Sequence, residues 1–125
     1  LVGCGLMVEV AMKAAEELKK EGINAAVINA YCIKPLAENV ILEYAKKTKA
    51  MVTVEDHSVI GGLGAAVAQV TSAKCPAVVR TVGVQDRFGE SGLQDDLFEK
   101  YGLTAQHIVE EAKKAIAIKE GKANV

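Results

Sequence analysis

The chain has 125 residues and a formal net charge of −1, with half of its residues hydrophobic and a quarter charged. That balance describes a soluble globular domain with enough apolar residues for a core, and excludes a disordered segment or an electrostatic nucleic-acid binder. Aromatic residues make up 4 % with no Trp, which argues against base-stacking platforms, and no apolar run reaches the ~20 residues needed to span a bilayer.

LVGCG, Leu1–Gly5, reads as the end of a buried strand. No secretory leader is expected. The expectation is a single domain over residues 1–125, truncated at its N-terminus from a longer protein. After Gly5, apolar residues recur at Val8, Ala11, Ala15 and Leu18 among charged ones, a helical period that Gly22 should end. NAAVINA, Asn24–Ala30, is short, apolar and partly β-branched, and predicts a strand. Pro35 breaks the chain and predicts the opening of a second helix, with Val40, Ile41, Tyr44 and Ala45 inward. MVTVE, Met51–Glu55, predicts the next strand. Gly61, Gly62 and Gly64 then lead into a third helix through Leu63, Val67 and Val70.

AVVRTV, Ala77–Val82, predicts another strand, and the polar, glycine-rich run Gly83–Gly92 a loop. Leu93–Tyr101 predicts a short helix stopped by Gly102. Thr104 is the expected N-cap of the last helix, whose apolar stripe is Ile108, Ala112, Ala115 and Ile116. The tail EGKANV, Glu120–Val125, is expected to fray. Strands alternating with helices predict an α/β fold with a largely parallel sheet. Its functional edge should be the carboxyl ends of the strands, where YCIKPL, EDHSVIGG and GVQDRFGESG fall together.

The glycine cluster admits two readings. Free N–H groups at a helix N-terminus attract an anion. Alternatively, glycine serves a tight turn and close helix–sheet contact, which is the favoured reading because GGLG matches no nucleotide fingerprint. GCG at 3–5 is a weaker signal still. His57 follows Glu55 and Asp56, so general acid–base chemistry is conceivable. Adjacent residues on an extended chain point to opposite sides, which counts against a metal site, and a polar surface or interface histidine is favoured. His107 is read as solvated.

Ser91 lies in GESG, but Leu93 stands where a nucleophile elbow needs glycine. Asp86 and Arg87 are read as an exposed loop pair, with an anion contact as the alternative. Cys4, Cys32 and Cys75 fit neither a disulfide framework nor a zinc motif, and are expected to be small buried hydrophobes in a reducing compartment. No catalytic or metal residue is therefore assigned. The candidate interface or anion-contact residues are His57, Gly61, Gly62, Gly64 and Arg87.

Three motifs in order are more specific than any one of them: IKPL at 33–36, VEDHSVIGGLGAAV at 54–67, and DRFGESG at 86–92. With the GLMVEVAMKAAEEL opening and the YGLTAQHI segment, they resemble the C-terminal domain of transketolase over nearly the whole chain. VEDH before GG-x-G, then FGESG, favours transketolase over 1-deoxyxylulose-5-phosphate synthase and the 2-oxo-acid dehydrogenase β subunits, which end in similar domains. One departure is Ala37, where the family commonly has a helix-capping Asp after KPL.

The resemblance implies a three-layer α/β/α unit with a mostly parallel, mixed sheet. It implies a cytoplasmic enzyme of the pentose phosphate pathway that transfers a two-carbon ketol unit between sugar phosphates. Thiamine diphosphate and a divalent metal, Mg or Ca, would be held by its other domains and not by this fragment. The parent would be a homodimer or a split-subunit assembly. This domain would support that assembly and be inactive alone, with His57 and Arg87 at the boundary to a neighbouring domain or subunit. The alternative is the end of one of the two related enzymes, acting as an assembly or partner-binding module.

Overall fold

Along the longest strand, Val52 and Val54 point to one side while Met51 and Thr53 point to the other, and all four are buried. A strand buried on both faces needs helices on both faces, which is how parallel sheets are covered. The computed structural model describes residues 1–122. The elements are β1 (Val2–Gly3), α1 (Met7–Lys20), β2 (Ile28–Asn29), α2 (Glu38–Thr48) and β3 (Ala50–Ser58). They continue with α3 (Leu63–Lys74), β4 (Val78–Val84), α4 (Gln94–Tyr101) and α5 (Ala105–Lys119).

The strand order is β2-β1-β3-β4, and every ladder is parallel. The expected α/β/α class holds. The antiparallel pairing among the described residues is an isolated bridge, Ile33 to Leu36.

Two apolar clusters fill the layers. Met7, Ala11, Ala14 and Leu18 of α1 meet Ile108, Ala112 and Ala115 of α5 over Val52, Val54 and Val82. On the opposite face, Ile41 and Ala45 of α2 and Leu63 and Val67 of α3 pack with Val2, Ala30 and Met51. Arg80, on the α5 side of β4, donates from Nε to Glu111 Oε2 at 2.6 Å, and Lys114 donates to the other oxygen at 2.7 Å. Glu111 is thereby buried with its charge matched.

The termini of the later helices match their sequence signals. Gly102 ends α4 at φ 70°, and the Thr104 hydroxyl accepts the His107 N–H at 3.2 Å. Several boundaries differ. The strand expected over Asn24–Ala30 pairs at Ile28–Asn29, against Val2–Gly3 of β1. Pro35, joined to Lys34 by a cis peptide, lies inside the turn closed by the Ile33–Leu36 bridge, so α2 starts at Glu38. Ala37 takes the N-cap position there without any side-chain bond.

β3 runs three residues past Glu55, so EDHS is strand and not loop. β4 likewise takes in Gly83 and Val84. Of the tail expected to fray, Ala123–Val125 lie outside the described residues, and Lys122 N–H still donates to the Ala117 carbonyl at 2.9 Å.

Candidate functional site at the carboxyl edge

Because all four strands run the same way, the connections after them meet at one edge. The order β2-β1-β3-β4 places β1 and β3 side by side while their connections diverge to α1 on one face and α3 on the other. That is the usual ligand crevice of an open α/β sheet. Here the chain fills it with its own carboxylate.

Glu55 shares the side of β3 occupied by Met51 and Thr53, and so points toward the N-terminus of α3. It is 1 % exposed. Leu63 N–H donates to its Oε1 and Gly64 N–H to its Oε2, both at 2.8 Å. A helix begins with unpaired N–H groups and a partial positive charge, and a carboxylate satisfies both. Gly62 is the N-cap and offers no side chain, so the sheet supplies the cap instead.

The glycines make room for this contact, each differently. A Cβ on Gly62 would stand 1.8 Å from Glu55 Oε1. A Cβ on Gly64 would stand 2.5 Å from Thr81 Cγ2 and 2.8 Å from Thr53 Oγ1, two residues paired across β3 and β4. Gly61 has open space but a φ of 74°, the left-handed region. Gly83 belongs to the same device, since a Cβ there would meet Val59 Cγ1 at 2.8 Å and Glu55 Cγ at 3.1 Å. Alternation turns Glu55 inward, and the register shift of the ladder between Val54 and Ser58 goes with the successive exposure of Asp56 and His57.

The turn reading of the glycines therefore stands and gains a reason. The N–H groups that could cradle an outside anion are already bonded to Glu55. Sequence reasoning grouped Glu55 with Asp56 as acids beside His57 and missed its structural role. The available signal was its even spacing from Met51 and Thr53, just before a glycine turn into a helix.

His57 is exposed. Its Nδ1 lies 2.7 Å from the Ser58 carbonyl, so that nitrogen carries the proton and donates, and it stands 3.7 Å from Glu55 Oε1. Arg87 does not pair with Asp86. Its Nη2 donates to the Lys100 carbonyl at 2.8 Å and its guanidinium stacks 4.6 Å above the Tyr101 ring. Arg87 is thus fixed against α4, whereas His57 lies on β3 and the glycines at the start of α3.

Cys4, Cys32 and Cys75 are free and half-buried. Burial and the nearby Glu55 and Asp56 carboxylates push the Cys4 thiol above its usual range, so it is a poor nucleophile. Among the described residues, no group of three or more His, Cys, Asp or Glu could hold a metal ion, and no helix is long and apolar enough to cross a membrane. A diphosphate does not fit at α3 either, because it would face a buried carboxylate already holding those N–H groups.

Fold and edge together define a three-layer α/β domain whose switch-point crevice is closed by an internal anion. Residues 1–108 match the family described as transketolase, C-terminal domain, and the chain belongs to that family. It is 51 % identical over 112 residues to a 6-deoxy-6-sulfo-D-fructose transketolase subunit of Clostridium sp. (strain MSTE9), covering 90 % of this chain and 35 % of that one. A 1-deoxy-D-xylulose-5-phosphate synthase of Heliobacterium modesticaldum (strain ATCC 51547 / Ice1) is 36 % identical over 126 residues, covering all of this chain and 20 % of the relative. Among solved structures, a split gene transketolase, described as an inactive beta4 tetramer, superposes with a TM-score of 0.91 at 47 % identity. That match covers 94 % of this chain and 39 % of the other. The chain thus spans about a third of the transketolase subunits it matches.

Proposed function

We propose that this chain is the assembly domain of a thiamine-diphosphate-dependent transketolase, which transfers a two-carbon ketol unit between sugar phosphates in the pentose phosphate pathway. The observation that carries the reading is the filled N-terminus of α3. Its N–H groups serve Glu55, so the glycine edge of this family member holds a fold together instead of a substrate. Cofactor and divalent metal belong to the preceding domains or to a separate subunit. This domain joins with those parts, as a homodimer or a split-subunit complex, and His57 with the Gly61–Gly64 turn lies near the contact. The reading includes a reducing, cytoplasmic setting, which the odd number of cysteines favours.

Calorimetry tests it. The chain alone should give no binding heat with thiamine diphosphate and Mg, whereas the complete enzyme carrying it should bind the cofactor and transfer ketol units. Assays with a phosphorylated and with a 6-sulfo ketose donor would compare the two substrate classes. Tight cofactor binding by the chain alone sinks the proposal. The synthase relative, matched over the full chain, supports a second reading as the end of a 1-deoxyxylulose-5-phosphate synthase. Formation of that product without ketol transfer would select it.

A further inference from the structure

Among the described residues, seven large hydrophobic side chains stand exposed: Leu6, Met12, Tyr31, Ile33, Ile60, Phe88 and Leu93. All except Met12, on α1, fall in the connections that follow β1, β2, β3 and β4. The parallel sheet therefore gathers six of them at its carboxyl edge. Phe88 is 97 % exposed, Tyr31 88 % and Leu93 75 %. Side chains of this kind bury 150–250 Å² when aromatic, so the exposed parts of the six come to roughly 700 Å², near the roughly 800 Å² that each partner gives a standard interface.

Phe88 is presented by a loop that is tied down. Arg87 bonds the Lys100 carbonyl and stacks on Tyr101, the Tyr101 hydroxyl accepts the Glu90 N–H at 2.9 Å, and Glu90 pairs with Lys100. Holding Phe88 in water on a fixed loop costs stability unless a partner covers it.

The charge at this edge selects the partner. Asp56, Asp86, Asp95 and Asp96 are exposed there and enter no ion pair among the described residues. Of the cations at this edge, Lys34 enters no ion pair among the described residues, while Arg87 and Lys100 are engaged on α4. A second copy would set acidic rim against acidic rim, which opposes association.

We propose that this apolar edge docks a protein surface with an apolar centre and a Lys- and Arg-rich rim, supplied by the cofactor-carrying remainder of the transketolase. The partner's identity rests on the function proposed above; the surface itself does not.

Hydrogen exchange on the complete enzyme tests the surface. The peptide covering 85–93 makes few backbone bonds of its own, so if docked it should exchange at least 100-fold slower than its intrinsic rate. Exchange near the intrinsic rate overturns the inference. Phe88→Asp with Ile60→Asp should weaken association with the remainder at least tenfold and leave the domain's melting temperature unchanged, since both side chains are exposed. Association unchanged by that pair overturns it too, as does a concentration-dependent dimer of the chain that the pair abolishes. Asp95→Lys with Asp96→Lys should lower the association rate and its salt dependence. Ketol transfer is assayed in parallel: an active enzyme with an unprotected edge refutes the docking surface alone, and an inactive enzyme with a protected edge refutes the transketolase reading alone.

Discussion

At the scale of single residues, the pocket around Glu55 separates two kinds of glycine. Gly62→Ala places a methyl on a buried carboxylate oxygen at 1.8 Å and must displace the cap of α3. A cost of about 3 kcal/mol is expected, the penalty of a buried charge losing its partners. Gly61→Ala meets no atom and bears only the left-handed φ, about 1 kcal/mol. Denaturant midpoints of the two variants should therefore differ clearly, and equal losses would refute this account of the pocket. Glu55→Ala should cost about as much as Gly62→Ala. Formate should recover part of that loss, because a small carboxylate can reoccupy the exposed N–H pair at Leu63 and Gly64.

At the scale of elements, α2 and α5 make opposite cases. α2 starts at Ala37 with no side-chain cap, so Ala37→Asp should add about 1 kcal/mol. That corresponds to a melting temperature about 4 °C higher; no rise would mean that the backbone at Ala37 cannot present a cap. α5 is tied to β4 through Glu111. Burial pushes this carboxyl up, but hydrogen bonds from Arg80 and Lys114 outweigh it and hold the group below its ordinary value of 4.5. A depressed folded value stabilises the fold above the unfolded value, and that contribution is lost as pH falls through the folded one. The urea midpoint should stay level down to about pH 5 and fall below about pH 4.5. Glu111→Gln should start from a lower plateau and show a shallower acid decline. An identical decline would assign the acid sensitivity to other groups.

For the whole molecule, one sheet direction settles two properties together. It brings the connections to one edge, and it points the N-terminus of α3 toward that edge beside β3. The crevice that α/β sheets commonly leave open is closed by Glu55, while the apolar residues around it stay uncovered. Such a surface suits recognition of protein better than capture of a small anion. The absence of cofactor binding expected from the chain alone and the slow exchange expected across 85–93 in the complete enzyme are two consequences of that one arrangement.

Much of this could be read from the residues themselves. The layered α/β class, the helices ended by Gly22 and Gly102, the Thr104 cap and the common edge of the loops all follow from local periodicity and turn chemistry, which act over a few residues. The motifs VEDHSVIGGLGAAV and DRFGESG carried the family. Other features depended on partners distant in the chain. β3 extends past Glu55 because Ser58 pairs with Val84. Arg87 looked available to Asp86 until Lys100 and Tyr101 came beside it. Above all, only the tertiary structure decided that Glu55 is the anion of the glycine turn. An acid followed by histidine and glycines suggests a site for something else, whereas hydrogen bonds formed across the fold reveal that the site is filled from within.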